Sequence, residues 1–477
     1  MRNPLVIILA LSLAACAGGN GAPSSSSDAL SSSSLVVSSS SAMSVSSVSS
    51  SSLSIASSSV APSSSSVASS SIASLVSSSV ASSSSSTMNN GALLNDGLMG
   101  WATKHPSGAP TGGAGADGQS CTVTTTDELI ACFEALRRTI VPYTVYIKGD
   151  LNGAGANGTG YTIAEVKGRK TAGYENTGNV SIIGLVENGK MPTLNAVWLK
   201  VSYIDNVIIR NLRIVASNDT ALGSMEKCAG DTDYCDWNVQ ADAVTMQTVV
   251  RAWIDHCEFT DGADFNGVNP VKANYKYHDG LVDIKKASDY ITISYSKFSN
   301  HDKTMLIGSS DGDTGDYRIT FFRNQFQYIG QRAPRVRFGK VHLLNNFYDN
   351  QLHTHESHKY FMTYAIGLGF SSQVYSEANV FDIPAATGGD LFGVGFDKWA
   401  QHFTDVGSWL NGTHVDLNAA AAAKVNAQEA LEGAGLGFVG NVTWKPSDAY
   451  NYPVLSTAQE VRDVVNSNVG VGKIQPL

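Results

Sequence analysis

The chain has 477 residues and a formal net charge of −9, with 41 Asp and Glu against 32 Lys and Arg. This balance argues against a general nucleic-acid binder, which needs a basic surface. It also disfavours an acidic polymer as a partner, unless basic side chains cluster locally or a cation bridges the two. The length is large for one domain, but repetitive β architectures reach this size.

Residues 1–16 predict a lipoprotein-type signal peptide. Arg2 precedes an apolar run, 5–13, that is too short to span a bilayer. Leu-Ala-Ala-Cys at 13–16 resembles the bacterial lipobox, which implies cleavage before Cys16 and acylation of its thiol. Ala17 implies outer-membrane sorting, so we expect an outer-membrane lipoprotein, or a cell-surface or secreted protein, with no other membrane contact. The alternative is an ordinary signal peptide with an incidental cysteine.

Residues 17–95 are typical of a disordered linker. The stretch 24–87 is dominated by Ser, with Ala and Val as the main other residues. It carries too little bulky apolar surface to offset the entropy of ordering it. A flexible segment of this length has an r.m.s. reach of roughly 45 Å, which suits a domain held away from a membrane. Residues 96–477 are predicted to form that folded domain.

Five cysteines remain beyond the signal, and export permits disulfides. Cys228 and Cys235 lie close together in a Gly/Asp-rich loop and are the favoured pair, with Cys121 and Cys132 as the second candidate. Cys257 lies in a strand pattern, which is typical of a buried free thiol. Connectivity stays open at this stage. The chain has no Cys-x-x-Cys pair or His-Glu-x-x-His segment, so we expect no zinc site.

The first periodic segment of the domain predicts a helix over 125–140. Thr125 and Glu128 fit a capping box. Apolar residues then follow at helical spacing: Leu129, Ile130, Phe133, Leu136 and Ile140. Residues 144–147 predict a strand. A helix ahead of many strands is expected to cover the open end of a solenoid, where edge groups need protection.

From about residue 180 the chain repeats short strands, each closing on an apolar or aromatic residue. The shortest spacing between closing residues, 22 residues from Phe326 to Tyr348, suits one turn of a parallel β-helix, and longer spacings suit a turn plus loops inserted on one face. We therefore predict an all-β fold, a right-handed parallel β-helix with an N-terminal capping helix and long loops on one face. The alternative is a β-sandwich with irregular loops. The six closing residues are Ile214, Phe259, Phe298, Phe326, Tyr348 and Phe381.

An asparagine precedes three of these closing residues by two positions, at Asn324, Asn346 and Asn379. On stacked turns, such side chains are expected to form an internal hydrogen-bonded ladder.

Three arginines cluster at Arg332, Arg335 and Arg337, on or beside a predicted strand. Such a cluster needs solvent or anionic partners, and the guanidinium fork suits carboxylates. A polymer with one carboxylate per sugar is an obvious partner. A solvated or salt-bridged basic edge is the alternative.

Three acids, Asp242, Asp279 and Asp283, are placed to converge if they lie on adjacent turns of a solenoid. Carboxylates gathered in one place need a cation, and all-oxygen ligands indicate calcium. Unrelated surface acids are the alternative. A further acidic loop at 311–316 lacks the Gly and Glu positions of an EF-hand and is interpreted as a turn.

Four ordered motifs closely resemble the pectate lyase superfamily, polysaccharide lyase family 1, over about residues 140–385. They are Trp-Ile-Asp-His at 253–256, Val-Asp-Ile-Lys at 282–285, Lys-Thr-Met-Leu-Ile-Gly at 303–308 and Arg-x-Pro-x-x-Arg at 332–337. The resemblance implies that 96–477 is the catalytic domain of a calcium-dependent pectate lyase. It also implies endo-type β-elimination of de-esterified polygalacturonate, with 4,5-unsaturated oligogalacturonides as products. We expect a monomer.

The resemblance implies a calcium site and a base. Asp242, Asp279 and Asp283 match the primary calcium ligands, and Arg332 matches the base that removes the C5 proton of the sugar. Some members carry an acid where this chain has Gln240, whose amide oxygen is a weaker calcium ligand. An arginine base needs its neutral form, so we expect an alkaline activity optimum.

The remaining matches concern binding and packing. Lys303 and Arg337 match residues that grip substrate carboxylates, and Lys285 is expected to support them near the cleft. Asp255 and His256 match a structural pair, so we expect His256 to pack and hydrogen-bond. Two rival functions stay open: a pectin lyase acting on methyl-esterified polymer without calcium, and a non-catalytic β-helix that only binds cell-wall glycans.

Overall fold

The computed structural model describes nine stretches of the chain, all within one compact unit, Ser83–Leu477. They are 97–113, 118–155, 160–168, 178–217, 240–262, 278–351, 362–394, 401–432 and 437–474. The predictions for Cys16, the linker, the Cys228–Cys235 pair and most of the longest insertions lie outside these residues. Within them, no helix has the length and apolarity needed to cross a membrane.

The described strands form two sheets. The longer sheet contains β1 (Gln119–Val123), β2 (Tyr143–Lys148), β4 (Thr162–Lys167), β5 (Gly178–Leu185), β7 (Val197–Arg210), β9 (Val244–Asp255), β11 (Val282–Lys285), β12 (Asp289–Ser294), β14 (Leu306–Ile307), β15 (Arg318–Phe322), β17 (Arg335–Val336), β18 (Lys340–Leu344), β20 (Ile366–Leu368), β21 (Gln373–Glu377), β23 (Phe392–Gly393), β24 (Gln401–Val406) and β27 (Phe438–Gly440). The shorter sheet contains β3 (Asp150–Asn152), β6 (Thr193–Asn195), β8 (Arg213–Val215), β10 (Glu258–Thr260), β13 (Lys297–Lys303), β16 (Gln325–Gln331), β19 (Phe347–Asp349), β22 (Val380–Asp382), β25 (Trp409–Leu410) and β26 (Thr413–His414).

Neighbouring strands come from successive turns of the chain rather than from hairpins. β12 pairs in parallel with β9 and β15, and β13 pairs in parallel with β10 and β16. Among the named strands, antiparallel pairing occurs at β25 and β26, where the spiral ends. This topology confirms the predicted right-handed parallel β-helix and excludes the sandwich.

The closing residues of the repeats stack in register along the shorter sheet. Phe259 pairs with Ile214 on one side and with Phe298 on the other. The series then continues through the closing residues of the next turns, Phe326, Tyr348 and Phe381. The aromatic rings lie nearly parallel, with centroids 4.9 Å apart for Phe259 and Phe298 and 5.2 Å for Phe298 and Phe326. The spacing between closing residues in the sequence therefore corresponds to successive turns of the β-helix.

The asparagine ladder forms as predicted at the corner before the shorter sheet. Asn324 Nδ2 donates to Asn346 Oδ1 at 3.0 Å, and Asn346 Nδ2 donates to Asn379 Oδ1 at 3.0 Å. The backbone N–H groups of Asn324 and Asn346 donate to the same two oxygens. All three side chains are fully buried, so the ladder satisfies polar groups that no solvent reaches.

Replacing Asn346 with alanine is expected to lower the free energy of unfolding by about 2 to 4 kcal/mol, because it leaves buried partners on two neighbouring turns unsatisfied. Urea unfolding of the purified protein measures the change. The matched control is Asn468→Ala, since Asn468 is an exposed amide near a helix end. Equal stability of the two variants would contradict a structural role for the ladder.

Each turn also carries a residue in the left-handed region three positions before its closing residue, a feature the sequence did not reveal. The φ angles are 56° at Asn211, 49° at His256, 44° at Tyr295, 54° at Arg323 and 51° at Asn345. Such angles are uncommon for residues with a side chain. The corner of the coil therefore has the same backbone conformation at the same place in these five turns.

Helices close the coil at its start and follow its last turns. α1 (Thr126–Leu136) begins at the predicted capping box and buries Leu129, Phe133 and Leu136 against the first turns, which confirms the N-terminal capping helix. The predicted continuation to Ile140 is wrong, because the helix ends at Leu136 and Ile140 is exposed. Cys121 and Cys132 form a disulfide that ties α1 to β1, so the second candidate pair is the one observed. Cys257 is a buried free thiol, as predicted.

The C-terminal segment returns along the outside of the spiral. α2 (Leu417–Glu432) follows the last turns. The stretch 444–454, whose sequence is compatible with a strand or a wrap, is a wrap with a 3-10 turn at Pro446–Asp448. α3 (Ala458–Asn468) packs its Val461 and Val465 against an outer apolar cluster. Beyond α3, Gly470 N–H donates to Tyr295 O, and Gly472 N–H donates to Asn211 Oδ1.

Candidate active site

The predicted acids and arginines lie on successive turns of one sheet. β11 pairs with β9 and with β14, and β14 pairs with β17. Asp242 lies two residues before β9, Asp283 lies in β11, and Arg332 lies three residues before β17. Since parallel strands are about 4.8 Å apart, Asp283 and Arg332 lie on turns roughly 10 Å apart along the axis. The fold thus gathers these residues on one side of the coil.

Asp242 and Asp283 form a buried carboxylate pair around one ammonium group. Lys285 Nζ lies 3.1 Å from Asp242 Oδ2 and 2.9 Å from Asp283 Oδ2. Backbone N–H groups hold the other oxygens: Gly280 donates to Asp242 Oδ1 at 3.1 Å and Leu306 donates to Asp283 Oδ1 at 3.0 Å. Lys285, expected only to support the cleft, therefore bridges the two carboxylates.

Burial and mutual repulsion make this pair a strong site for positive charge. Burial, and then the charge of Asp283, raise the pKa of Asp242 to about 8, while burial raises the pKa of Asp283. Burial alone would lower the pKa of Lys285, but Asp283 and Asp242 raise it above its usual range. Asp279 adds to the repulsion on both carboxylates. An added cation would relieve this repulsion.

The donor set fits a hard cation such as calcium, which prefers carboxylate and carbonyl oxygens. Gly280 lets the two carboxylates approach each other, since a Cβ there would lie 2.3 Å from Asp283 Oδ1 and 3.1 Å from Asp242 Oδ1. Among the described residues, however, no three His, Cys, Asp or Glu side chains converge as a finished metal site. The assignment of Asp242, Asp279 and Asp283 as ligands therefore stays a prediction.

Lys303 lies beside the third predicted acid, on the turn between the carboxylate pair and Arg332. Its Nζ is 3.7 Å from Asp279 Oδ1, and both side chains are about one-quarter exposed. Lys303 pairs in the shorter sheet with Gln331, which directly precedes Arg332. Lys303 therefore lies between the acids and the turn that carries Arg332, and its side chain is accessible to a ligand.

Arg332 stands at a corner with an unusual backbone. Its φ is 62°, in the left-handed region, as at corners of other turns. Its carbonyl accepts from Met305 N–H at 2.7 Å, which fixes it to the turn of Lys303. Its Nε is buried and has no hydrogen-bond partner among the residues the structure describes. Its positive charge acts on the neighbouring phenol of Tyr364, a residue the sequence did not single out, and lowers the pKa of Tyr364 against the effect of burial.

Arg337 lies at the opposite edge of the same segment. Its Nε is 3.1 Å from Asp311 Oδ1, and its Nη1 donates to Gly308 O at 3.2 Å. The carboxylate of Asp311 is about half exposed. The Arg337 guanidinium is therefore paired with a half-exposed carboxylate, and its role in binding a substrate carboxylate stays a prediction.

Other candidates serve the scaffold. Asp313 accepts from Lys286 N–H and from Ser309, which confirms the acidic loop as a turn. His256 Nδ1 lies 2.7 Å from Asp255 Oδ2, and its ring stacks on Tyr295, so it packs and hydrogen-bonds as predicted.

Gln240 stands apart from the carboxylate pair in its surroundings. Its side chain is exposed, whereas Asp242, two residues later, is fully buried. Its contribution to a metal site stays a prediction.

Sequence comparisons place the chain among known proteins. A family model described as "Pectate lyase" matches residues 64–474. Pectate lyase E of Dickeya dadantii (strain 3937) is 33% identical over 387 residues, which cover 79% of this chain and 86% of that protein. A pectate lyase of Bacillus subtilis (strain 168) is 34% identical over 275 residues, 57% of this chain and 59% of that protein.

Solved structures show the same coil. A thermostable pectate lyase, PL 47, matches with a TM-score of 0.62 and 26% identity, covering 79% of this chain and 97% of that one. A pectate lyase bound to a hexasaccharide matches with a TM-score of 0.61 and 26% identity, with the same coverage. With its extensive family match and its β-helix, the chain belongs to the pectate lyases of polysaccharide lyase family 1 and is an enzyme of that class.

Proposed function

We propose that the protein is a calcium-dependent pectate lyase that cuts de-esterified polygalacturonate internally. The observation that carries this proposal is the buried pair Asp242 and Asp283, placed on turns close to Lys303 and Arg332. A neutral, esterified polymer would have no use for a cation between protein and substrate. An acidic polymer does, because the protein is itself acidic.

The residues divide the work of a β-elimination. Arg332, in its neutral form, takes the C5 proton of a sugar beside the scissile bond. The electron pair left at C5 forms the C4–C5 double bond as the C4–O bond breaks, and the leaving oxygen takes up a proton. Lys303 and Arg337 bind substrate carboxylates and so stabilise the negative charge that develops next to C5. No water is consumed.

Asp242, Asp279 and Asp283 would hold the calcium ion, which when bound would supply positive charge against the substrate carboxylate. Lys285 pairs with Asp242 and Asp283 and balances part of their charge. Lys303, Arg332 and Arg337 thus place basic groups on neighbouring turns.

A direct test is the appearance of ultraviolet absorbance from unsaturated product on polygalacturonate, with calcium or with EDTA. Lyase activity that requires calcium and falls as the substrate is esterified supports the proposal. Activity that survives EDTA and prefers esterified pectin would instead identify a pectin lyase, and binding without absorbance a glycan-binding protein. A drop in viscosity ahead of the release of short products identifies internal cleavage.

The activity is expected to rise with pH into the alkaline range. Arg332 accepts a proton only when neutral, so higher pH favours the active form. The pKa of Asp242, raised to about 8, also means that calcium competes with a proton below that pH. Rates measured from pH 6 to pH 11, each over a range of calcium concentrations, test both effects. An acidic maximum, or a calcium requirement that does not increase below about pH 8, would contradict this account.

A further inference from the structure

Tyr364 lies against the predicted base on the following turn. It is 5% exposed, and it directly precedes Ala365, whose carbonyl accepts from Ala333 N–H at 2.7 Å. The charge of Arg332 and its hydrogen bonding both lower the pKa of Tyr364 against the effect of burial, so the guanidinium acts on the phenol as a close neighbour. A guanidinium has only donors, so Arg332 donates and the phenolic oxygen accepts.

The hydroxyl proton of Tyr364 is committed elsewhere, which fixes the direction of that bond. Tyr364 OH donates to Gln331 Oε1 at 3.1 Å. Gln331 in turn donates from Nε2 to Asp302 Oδ1 at 3.2 Å. A chain therefore runs from Asp302 through Gln331 and Tyr364 to Arg332, and it leaves the lone pairs of the phenol facing the guanidinium.

The backbone is shaped to hold the ring in this position. Gly393, on the turn beyond Tyr364, has no side chain, and a Cβ there would lie 2.6 Å from Cγ of Tyr364. Gly330 similarly makes room for Asp302, since a Cβ would lie 2.3 Å from its Oδ1. Tyr364 and Asp302, two members of this hydrogen-bonded series, thus each pack against a glycine. Burial raises the pKa of Tyr364, which keeps the phenol protonated and able to donate to Gln331.

We propose that Tyr364 is a positioning residue for Arg332, held by Gln331 and Asp302, and that it orients the guanidinium for removal of the C5 proton. This inference rests on the proposed function, in which Arg332 is the base. The left-handed backbone of Arg332 turns its side chain at the corner, and Tyr364 fixes where that side chain ends. A misplaced base loses rate even when substrate binding is intact.

The test is Tyr364→Phe, which removes the hydroxyl and keeps the ring over Gly393. The expected result on polygalacturonate at saturating calcium is a fall in kcat of roughly 10- to 100-fold with KM within about twofold of wild type. The matched control is Tyr450→Phe, a buried tyrosine that bonds to Thr320 in β15 and His342 in β18. That control should lower the melting temperature and leave kcat unchanged.

A double-mutant cycle then asks whether Gln331 acts through Tyr364. Gln331→Leu is expected to lower kcat in the same direction, because it removes the acceptor of the Tyr364 proton. The double variant Gln331→Leu/Tyr364→Phe should be no slower than Tyr364→Phe alone, because both substitutions break the same hydrogen-bonded series. If the two substitutions lower kcat independently, so that their effects multiply in the double variant, Gln331 does not act through Tyr364.

The outcomes separate this inference from the function on which it rests. If Arg332→Ala is inactive while Tyr364→Phe keeps wild-type kcat, the positioning role is wrong and the base assignment stands. If Tyr364→Phe changes KM or melting temperature without changing kcat, the tyrosine is a binding or packing residue. If the wild-type protein forms no unsaturated product, the proposed function itself fails.

Discussion

Replacing Arg332 with alanine is expected to reduce lyase activity on polygalacturonate by at least about a thousandfold, because the variant loses the group that takes the C5 proton. The loss should appear in kcat, since Lys303 and Arg337 still bind the substrate. The protein should stay folded, because the Arg332 side chain is only partly buried and its backbone contacts to Met305 remain. Initial rates of absorbance increase at saturating calcium measure the effect.

The control for this variant is Arg323→Ala. Arg323 has the same left-handed backbone, with a φ of 54°, but its side chain lies over Phe322 at the opposite corner of the coil. It should retain wild-type rates. Arg332→Lys separates charge from shape, since a lysine keeps the charge but loses the fork that bonds Tyr364. Substantial activity in Arg332→Ala would remove this residue from the role of base.

Replacing Asp283 with asparagine is expected to raise the calcium concentration needed for half-maximal activity by at least about tenfold. The side chain keeps its size but loses the charge that binds a cation. EDTA should abolish wild-type activity, and excess calcium should restore it. Calcium titration of the rate, together with calorimetric titration of the ion into the protein, measures both the functional and the binding effect.

Asp405→Asn is the matched control. Asp405 is another buried carboxyl, bonded to Ser376 and Ser408 near the last turns, and burial raises its pKa as it does that of Asp283. Its substitution should leave the calcium requirement unchanged. A calcium requirement that is the same in Asp283→Asn as in wild type would place the ion elsewhere. A second readout, thermal unfolding with and without calcium, should show stabilisation by the ion in the wild type and in Asp405→Asn.

The repeat of the coil was predictable because one residue per turn must fill the same position in the core. The closing residues from Ile214 to Phe381 are all large and apolar, so their spacing alone gave the turn lengths. The ladder at Asn324, Asn346 and Asn379 was predictable for the same reason, since a buried amide needs a partner on the next turn. In a repetitive fold, residues that stack in register on successive turns recur along the sequence and can be recognised there.

The surroundings of the site were less predictable, because they depend on loops and on side chains that do not repeat. The position of Tyr364 near the start of β20 is the one feature that could have drawn attention to it. Nothing in the neighbouring sequence marks it as a partner of Arg332. Lys285 was expected near the cleft, but its position between Asp242 and Asp283 follows from strand pairing rather than from spacing. The disulfide at Cys121 and Cys132 likewise depends on how α1 packs on β1.

The returning C-terminal segment changes how the coil is expected to come apart. In a solenoid each turn touches only its neighbours, so stability is usually a sum of local contributions that can fray from an end. Here Val471 N–H donates to Glu258 Oε1 and Gly472 N–H donates to Asn211 Oδ1, across 213 and 261 residues of chain. These contacts join residues 471 and 472 to turns that lie much earlier in the chain. Unfolding is therefore expected to be more cooperative than in a solenoid whose turns touch only their neighbours.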